Sequence, residues 1–252
     1  MGVHERAKSE EREIEYAFIN DCKHTGNNYG GRGDVEKNGE EIELKFLSKG
    51  KGTLANTTGD LLTKNRIFSC DSWSDYRKKN FEPEREKIIS PYRKDHNNLD
   101  NIGYHIKANN PKDKKAIMKL AKEDKLGYIK YLSENKFNNE RLAKLTLLLI
   151  IGFHTEESIL SHIDKSFDEI KELKKGYEII YKYPDGKEVK EDLDKIIKEA
   201  QDINKFSIDY KKCKQQNIEI LYDSKKILKL AFHWKNIFQG IKTPCLNVFL
   251  MK

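Results

Sequence analysis

Asp34, Glu43 and Lys45 are the residues whose types and spacing suit metal-assisted chemistry, and they lie in the stretch GDVEKNGEEIELKFL (33–47). Asn38-Gly39 within it is a strong hairpin signal, because both residues tolerate the positive φ that a type I′ turn requires. A tight turn there pairs Lys37 with Glu40, Glu36 with Glu41, Val35 with Ile42 and Asp34 with Glu43. Side chains alternate between faces along a strand. Val35, Ile42, Leu44 and Phe46 are therefore expected on the core side, and Asp34, Glu36, Glu41, Glu43 and Lys45 on the other. Like charges held opposite one another destabilise a sheet. A divalent cation turns that repulsion into binding, since Mg2+ takes one or two carboxylates and keeps several waters. Lys45 would project beside the same ion, where an ammonium can hold a water or stabilise charge developing on a phosphate. Glu36 and Glu41, nearer the turn, are expected in solvent. The plainer alternative is an ordinary hairpin with a wet polar face.

The elements that must position this hairpin are legible to different degrees. SEEREIEYAFINDCK reads as a helix capped by Ser9, with Ile14, Ala17, Phe18 and Cys22 along one face. KHTGNNYGGRG (23–33) reads as a loop, and SKGKGTLANTTGDLLTKN (48–65) as a basic loop turning helical near Thr57 or Thr58. Residues 66–112 show no clear period, whereas 112–140 read as mainly helical. LTLLLIIGF (145–153) suits a buried strand on length and on the helix signal that restarts at Thr155. YEIIYKYPDGKEV reads as strand then turn, and FSIDYKK, NIEILYD and CLNVFLMK as further short strands.

An acidic residue on one strand, Glu-x-Lys on the adjoining strand and an acidic helix upstream resemble the motif of the PD-(D/E)xK nuclease superfamily, and within it the type II restriction endonucleases. Here the motif reads Asp34, then Glu43-Leu44-Lys45, with Gly33 where that family usually has proline. The resemblance implies a restriction-endonuclease-like fold of the α/β (α+β) class: a mixed β-sheet core flanked by helices, with additional helical and β elements. It implies one domain over 1–252. The catalytic core would span about 9–65 with a core strand at about 145–153, leaving 66–144 and 175–252 for recognition or dimerisation. Glu11 is the favoured helix carboxylate, with Glu15 the alternative. Asp34, Glu43 and the carbonyl of Leu44 would hold Mg2+, and Lys45 would orient or help deprotonate the attacking water. Lys49, Lys51, Asn56 and Thr57, in the loop that follows, are candidate phosphate contacts. The implied activity is cleavage of double-stranded DNA at a short specific site by a homodimer, alongside a possible cognate methyltransferase. A junction-resolvase-like repair nuclease of the same fold, a degenerate non-catalytic DNA-binding core, and a basic structural or interaction protein are the other readings.

Composition agrees with a polyanionic partner without requiring one. A formal net charge of +7 favours nucleic acid or anionic membranes, although a lysine-rich chain can also simply be well solvated. Twelve Tyr and eleven Phe argue against a disordered chain. Cys22, Cys70, Cys213 and Cys245 lack CxxC spacing, which disfavours a zinc ribbon or a disulfide framework and suits a reducing, cytoplasmic setting. MGVHERAKSEERE has no apolar core and is not expected to be a secretory signal, and MGVHER lacks the Ser or Thr of a myristoylation site. LTLLLIIGF is about half the length of a membrane-spanning helix. His154 and His162 lack metal-ligand spacing, and His233-Trp234 is read as packing before base stacking. No P-loop, dinucleotide fingerprint, GxSxG elbow or HExxH is present.

Overall fold

The computed structural model describes residues 3–26, 32–48, 51–211, 215–234, 237 and 244–252. It is a mixed α+β structure with two five-stranded sheets and helices. The first sheet is built around the hairpin of β2 (Val35–Lys37) and β3 (Glu40–Phe46). Asn38 and Gly39 adopt φ of 54° and 85°, and the register pairs Val35 with Ile42, Glu36 with Glu41 and Lys37 with Glu40, as counted from the turn. A short strand β1 (Lys23–His24) borders β2. On its other side β3 pairs in parallel with β5 (Glu178–Lys182), which pairs with β6 (Glu188–Asp192). The order is thus β1-β2-β3-β5-β6, with β3 at the centre.

A central strand is buried on both faces. Helix α1 (Val3–Ile19) covers one face, where Tyr16 and Ala17 pack on Val35, Ile42, Leu44 and Ile180. The other face, carrying Ile179 and Tyr181 of β5, belongs to the main hydrophobic core. The helical phase differs from the sequence reading: Phe18 is 89% exposed and Ile14 50%, whereas Tyr16 and Ala17 are buried. The helix also begins well before Ser9, so Ser9 does not cap it.

The second sheet has the order β4-β10-β9-β8-β7 and is antiparallel throughout, with β4 (Lys51–Thr58) and β7 (Phe206–Asp209) at its edges. Between them lie β10 (Pro244–Met251), β9 (Lys225–Trp234) and β8 (Asn217–Tyr222). The expected loop from residue 48 is therefore largely strand, with a short helix α2 (Leu61–Lys64) only after Thr58. The intervening chain supplies α3 (Trp73–Asn80), α4 (Glu82–Ile89), α5 (Leu99–Asn109) and α6 (Pro111–Ser133).

LTLLLIIGF is not a strand. Its residues 145–150 form the second half of α7 (Asn139–Ile150), whose start is set upstream by Asn138, the side chain of which accepts from the Arg141 amide at 3.0 Å. Leucine favours helix, and a helix buried all round needs no polar face; every residue from Leu142 to Ile150 is buried. The strand parallel to β3 is instead β5, after the short helices α8 (Glu156–Leu160) and α9 (Phe167–Leu173). Helix α10 (Leu193–Gln201) packs against α7. Both sheets and α7 share one continuous core. Among the described residues no helix is long and apolar enough to cross a membrane.

Asp124 on α6 joins the helical insertion to the second sheet. Its Oδ2 accepts from the indole N–H of Trp73 at 2.9 Å and of Trp234 at 3.1 Å. Trp234 is buried in packing, as expected, whereas the neighbouring His233 is exposed. Burial pushes the Asp124 carboxyl up to about 7, against the opposing pull of the two indoles and Arg77. An acid raised in the fold favours the folded state most below its unfolded value of 3.8 and loses that contribution as pH rises through about 7. At about 1.4 kcal/mol per pH unit, the loss amounts to roughly 4 kcal/mol. Trp73 and Trp234 are the chain's two tryptophans, so intrinsic fluorescence should titrate with a midpoint near pH 7. Asp124→Asn should abolish that transition and flatten the pH dependence of the urea midpoint between pH 5 and 8.

Candidate active site

Asp34 and Gly33 enter β2 through a close crossing with β3. A Cβ on Gly33 would lie 2.7 Å from the backbone nitrogen of Ile42, and the Gly33 amide donates to Glu41 at 3.1 Å. Proline could satisfy neither condition, lacking the N–H and adding bulk. The Asp34 carboxylate turns back across the hairpin, and its Oδ2 accepts from the Leu44 amide at 2.7 Å. Asp34 therefore sits against the backbone between Glu43 and Lys45. All three side chains are buried, at 8%, 2% and 5% exposure, so the reading of a wet polar face does not describe them. Glu36 and Glu41, nearer the turn, are only half-buried.

The burial follows from α7. Its last turn and the Gly152-Phe153-His154 segment lie over the face of β3 that carries Glu43 and Lys45. Gly152 has φ of +100°, and a Cβ there would stand 2.9 Å from Oε2 of Glu43. The Lys45 ammonium is ion-paired with Oε1 of Glu43 and lies 3.4 Å from Nε2 of His154. That nitrogen is also 3.1 Å from the Leu149 carbonyl. Tyr177 donates its hydroxyl to Oε2 of Glu43 at 2.8 Å, with the Ile151 carbonyl at the same distance. Lys174 completes the wall: its buried Nζ rests 3.8 Å from the Tyr177 ring centroid and 5.2 Å from that of Phe153, and makes no hydrogen bond among the described residues.

These contacts separate the two carboxylates electrostatically. Burial and then the neighbouring charge of Glu43 push Asp34 well above the usual carboxylate range, with Lys45 and the Leu44 amide opposing. Burial also raises Glu43, but Lys45 and the Tyr177 hydroxyl outweigh it and leave the group below its ordinary value. Burial, reinforced by Lys45, lowers His154 to about 4, so it is a neutral imidazole near pH 7. Burial lowers Lys174 to about 8 despite the attraction of Glu43 and Glu41.

The structure brings Asp34, Glu43 and Lys45 together, and with them the backbone of Leu44. It does not bring Glu11 or Glu15, which are exposed on α1. The helix carboxylate whose charge reaches Asp34 is Glu13, half-buried and 3.6 Å from Nε2 of His24. Glu13 precedes the buried Tyr16 and Ala17 by three and four residues, and that correct phase was hidden by the more apolar Ile14 and Phe18. Of the candidate phosphate contacts, Lys51 and Asn56 are exposed and Thr57 half-buried on edge strand β4, not in a loop; Lys49 lies outside the described residues. His154, Lys174 and Tyr177 have no motif spacing to Glu43. Only the glycine that ends the leucine-rich run marked where such residues turn back toward the sheet. His162, half-buried, lies with its ring 4.4 Å from that of Phe153.

Among the described residues no group of three or more His, Cys, Asp or Glu side chains is arranged to hold a metal ion. Two carboxylates do fit Mg2+, which binds through one or two of them and retains water, and the charge of Glu43 acts on Asp34, second to burial, in raising its carboxyl. Replacing Tyr177 by Phe removes the neutral donor to a buried carboxylate. The fold should lose about 1–3 kcal/mol in urea unfolding, more than Tyr→Phe at the half-buried Tyr183.

No protein-family model, curated protein or solved structure matches the chain.

Proposed function

We propose that this chain is a Mg2+-dependent nuclease of double-stranded DNA, acting as a type II restriction endonuclease with a restriction-endonuclease-like core. The observation that carries the reading is the buried juxtaposition of Asp34, Glu43 and Lys45 on one hairpin, with Asp34 held on the Leu44 amide. An acid–acid–lysine set on adjoining strands is the motif of the PD-(D/E)xK superfamily. The mixed sheet around it, with a helix over one face and the next strand of the sheet, β5, parallel to β3, is compatible with that core.

Asp34 and Glu43 would hold Mg2+, together with the carbonyl of Leu44. When bound, the ion would polarise a phosphate oxygen and make a coordinated water more acidic. Lys45 has its ammonium at the same carboxylates, placed to orient a water or meet charge developing on the scissile phosphate. Tyr177 and Gly152 fix the Glu43 carboxylate from behind. His154, neutral, sets the position of Lys45 without adding a second charge. Lys174 adds positive potential from the aromatic wall.

Supercoiled plasmid incubated with the protein and Mg2+ should give discrete linear fragments, and none with EDTA. Lys45→Met and Asp34→Asn keep side-chain volume and should each lower cleavage by about 100-fold or more while duplex binding in EDTA persists. Cleavage retained by Lys45→Met overturns its role. Preference for a branched over a linear duplex points to a resolvase, and binding without any Mg2+-dependent cleavage to a degenerate core.

A further inference from the structure

Helix α6 carries seven lysines in twenty-three residues. At 100° per residue, Lys112, Lys115, Lys119, Lys122 and Lys130 fall within about 80° of its circumference. All five are exposed, and Ile117, Ala121, Asp124, Tyr128 and Leu132, buried, face the opposite way. From Lys112 to Lys130 the stripe runs about 27 Å at 1.5 Å per residue, close to eight base steps of about 3.4 Å along one strand of a duplex.

The acids of this helix do not neutralise the stripe. Asp124 is turned inward onto the two indoles, and Asp113 is engaged by Tyr92 and Asn110. Glu123 stands 3.7 Å from Lys119, and Glu134, just past the helix, 3.7 Å from Lys130; such exposed pairs are weak and screened. Lys112, Lys115 and Lys122 have no ion-pair partner among the described residues. Lysines elsewhere commonly do, as in Lys79–Asp71 at 2.7 Å, Lys205–Asp202 at 2.7 Å and Lys226–Glu219 at 2.8 Å. Lys107 on the adjoining α5 is exposed and has no ion-pair partner among the described residues either, next to Tyr104, which is 70% exposed.

We infer that the outer face of α6 is a docking surface for the phosphate backbone of a nucleic-acid duplex. Uncompensated lysines on a rigid rod release counterions when they meet phosphates, and they read charge spacing without reading bases. A membrane surface fits less well, because an interfacial helix needs a broad apolar face to insert, and this side of α6 offers little beyond Met118. The inference shares with the nuclease reading the choice of partner, and stands or falls on binding without cleavage.

The test is fluorescence anisotropy with a labelled 20-base-pair duplex in EDTA, titrated from about 50 to 200 mM salt. Replacing Lys112, Lys115, Lys119, Lys122 and Lys130 by Gln retains helix-forming residues. The variant should bind at least about 10-fold more weakly, with the salt slope reduced by about 0.9 for each phosphate that is no longer neutralised. A charge-matched control replaces Lys23, Lys175, Lys198, Lys211 and Lys225, which are exposed and outside ion pairs; it should bind within about twofold of wild type once unfolding midpoints agree. Equal weakening in both variants, or none in the stripe variant, overturns the proposal. So does unchanged duplex binding with abolished binding to phosphatidylserine vesicles, which assigns the face to a membrane. Mg2+-dependent cleavage is scored separately, so loss of stripe binding in a protein that cuts nothing removes the nuclease reading and leaves this one standing.

Discussion

The structure depends on keeping charge out of water at the centre of a sheet. Glu43 and Lys45 point from β3 into the face that the main core covers, and Asp34 reaches the same place from β2. Removing an ion from water costs several kcal/mol unless partners and hydrogen bonds offset it. The surrounding chain can be understood as that offset: the Leu44 amide for Asp34, Lys45 and the Tyr177 hydroxyl for Glu43, and the His154 ring beside Lys45. The offset is incomplete at Asp34, whose carboxyl stays well above its normal range. A fold optimised for stability alone would place apolar residues there, so the retained charge is the strongest physical argument that the site acts on something.

Helix α7 makes the burial possible. Buried from Leu142 to Ile150, it can pack in the core that both sheets share and lead into a glycine against Glu43. The same run could not have done this as a strand, because a strand would have paired its backbone within a sheet and left the inner face of β3 uncovered. The parallel partner of β3 is supplied later, by β5, in register Glu43 to Ile179 and Lys45 to Tyr181. That parallel pairing gives the long crossover from β3 to β5 its purpose: it carries the second sheet's first strand, the helical insertion and α7 before closing the site.

The helical insertion has a different electrostatic character from the site. Its single buried acid, Asp124, is held by two indole donors, whereas its outer face is lysine with few acids in contact. A buried, hydrogen-bonded acid and exposed positive charge on one helix are consistent with a unit fixed to the body from within and free to meet a polyanion from without.

The sequence by itself determined the hairpin, the pairings of Val35, Glu36 and Lys37, and which side chains share a face, because a positive-φ turn and period-two geometry are local constraints; that the face of Glu43 and Lys45 is buried too was not legible there. It also marked α6, the capped helices after Thr155 and most of the later strands, where caps and alternation are written in adjacent residues. Tertiary structure alone decided three matters. It set the phase of α1, in which Tyr16 and Ala17 are buried and Glu13 half-buried, whereas Glu11, Ile14, Glu15 and Phe18 are exposed. It made LTLLLIIGF a helix, since uniform hydrophobicity has no period to read and the cap lies upstream of the run. And it brought His154, Lys174 and Tyr177 to Glu43, over more than a hundred residues of intervening chain, because pairings of that range are set by how layers stack and leave no spacing in the chain that makes them.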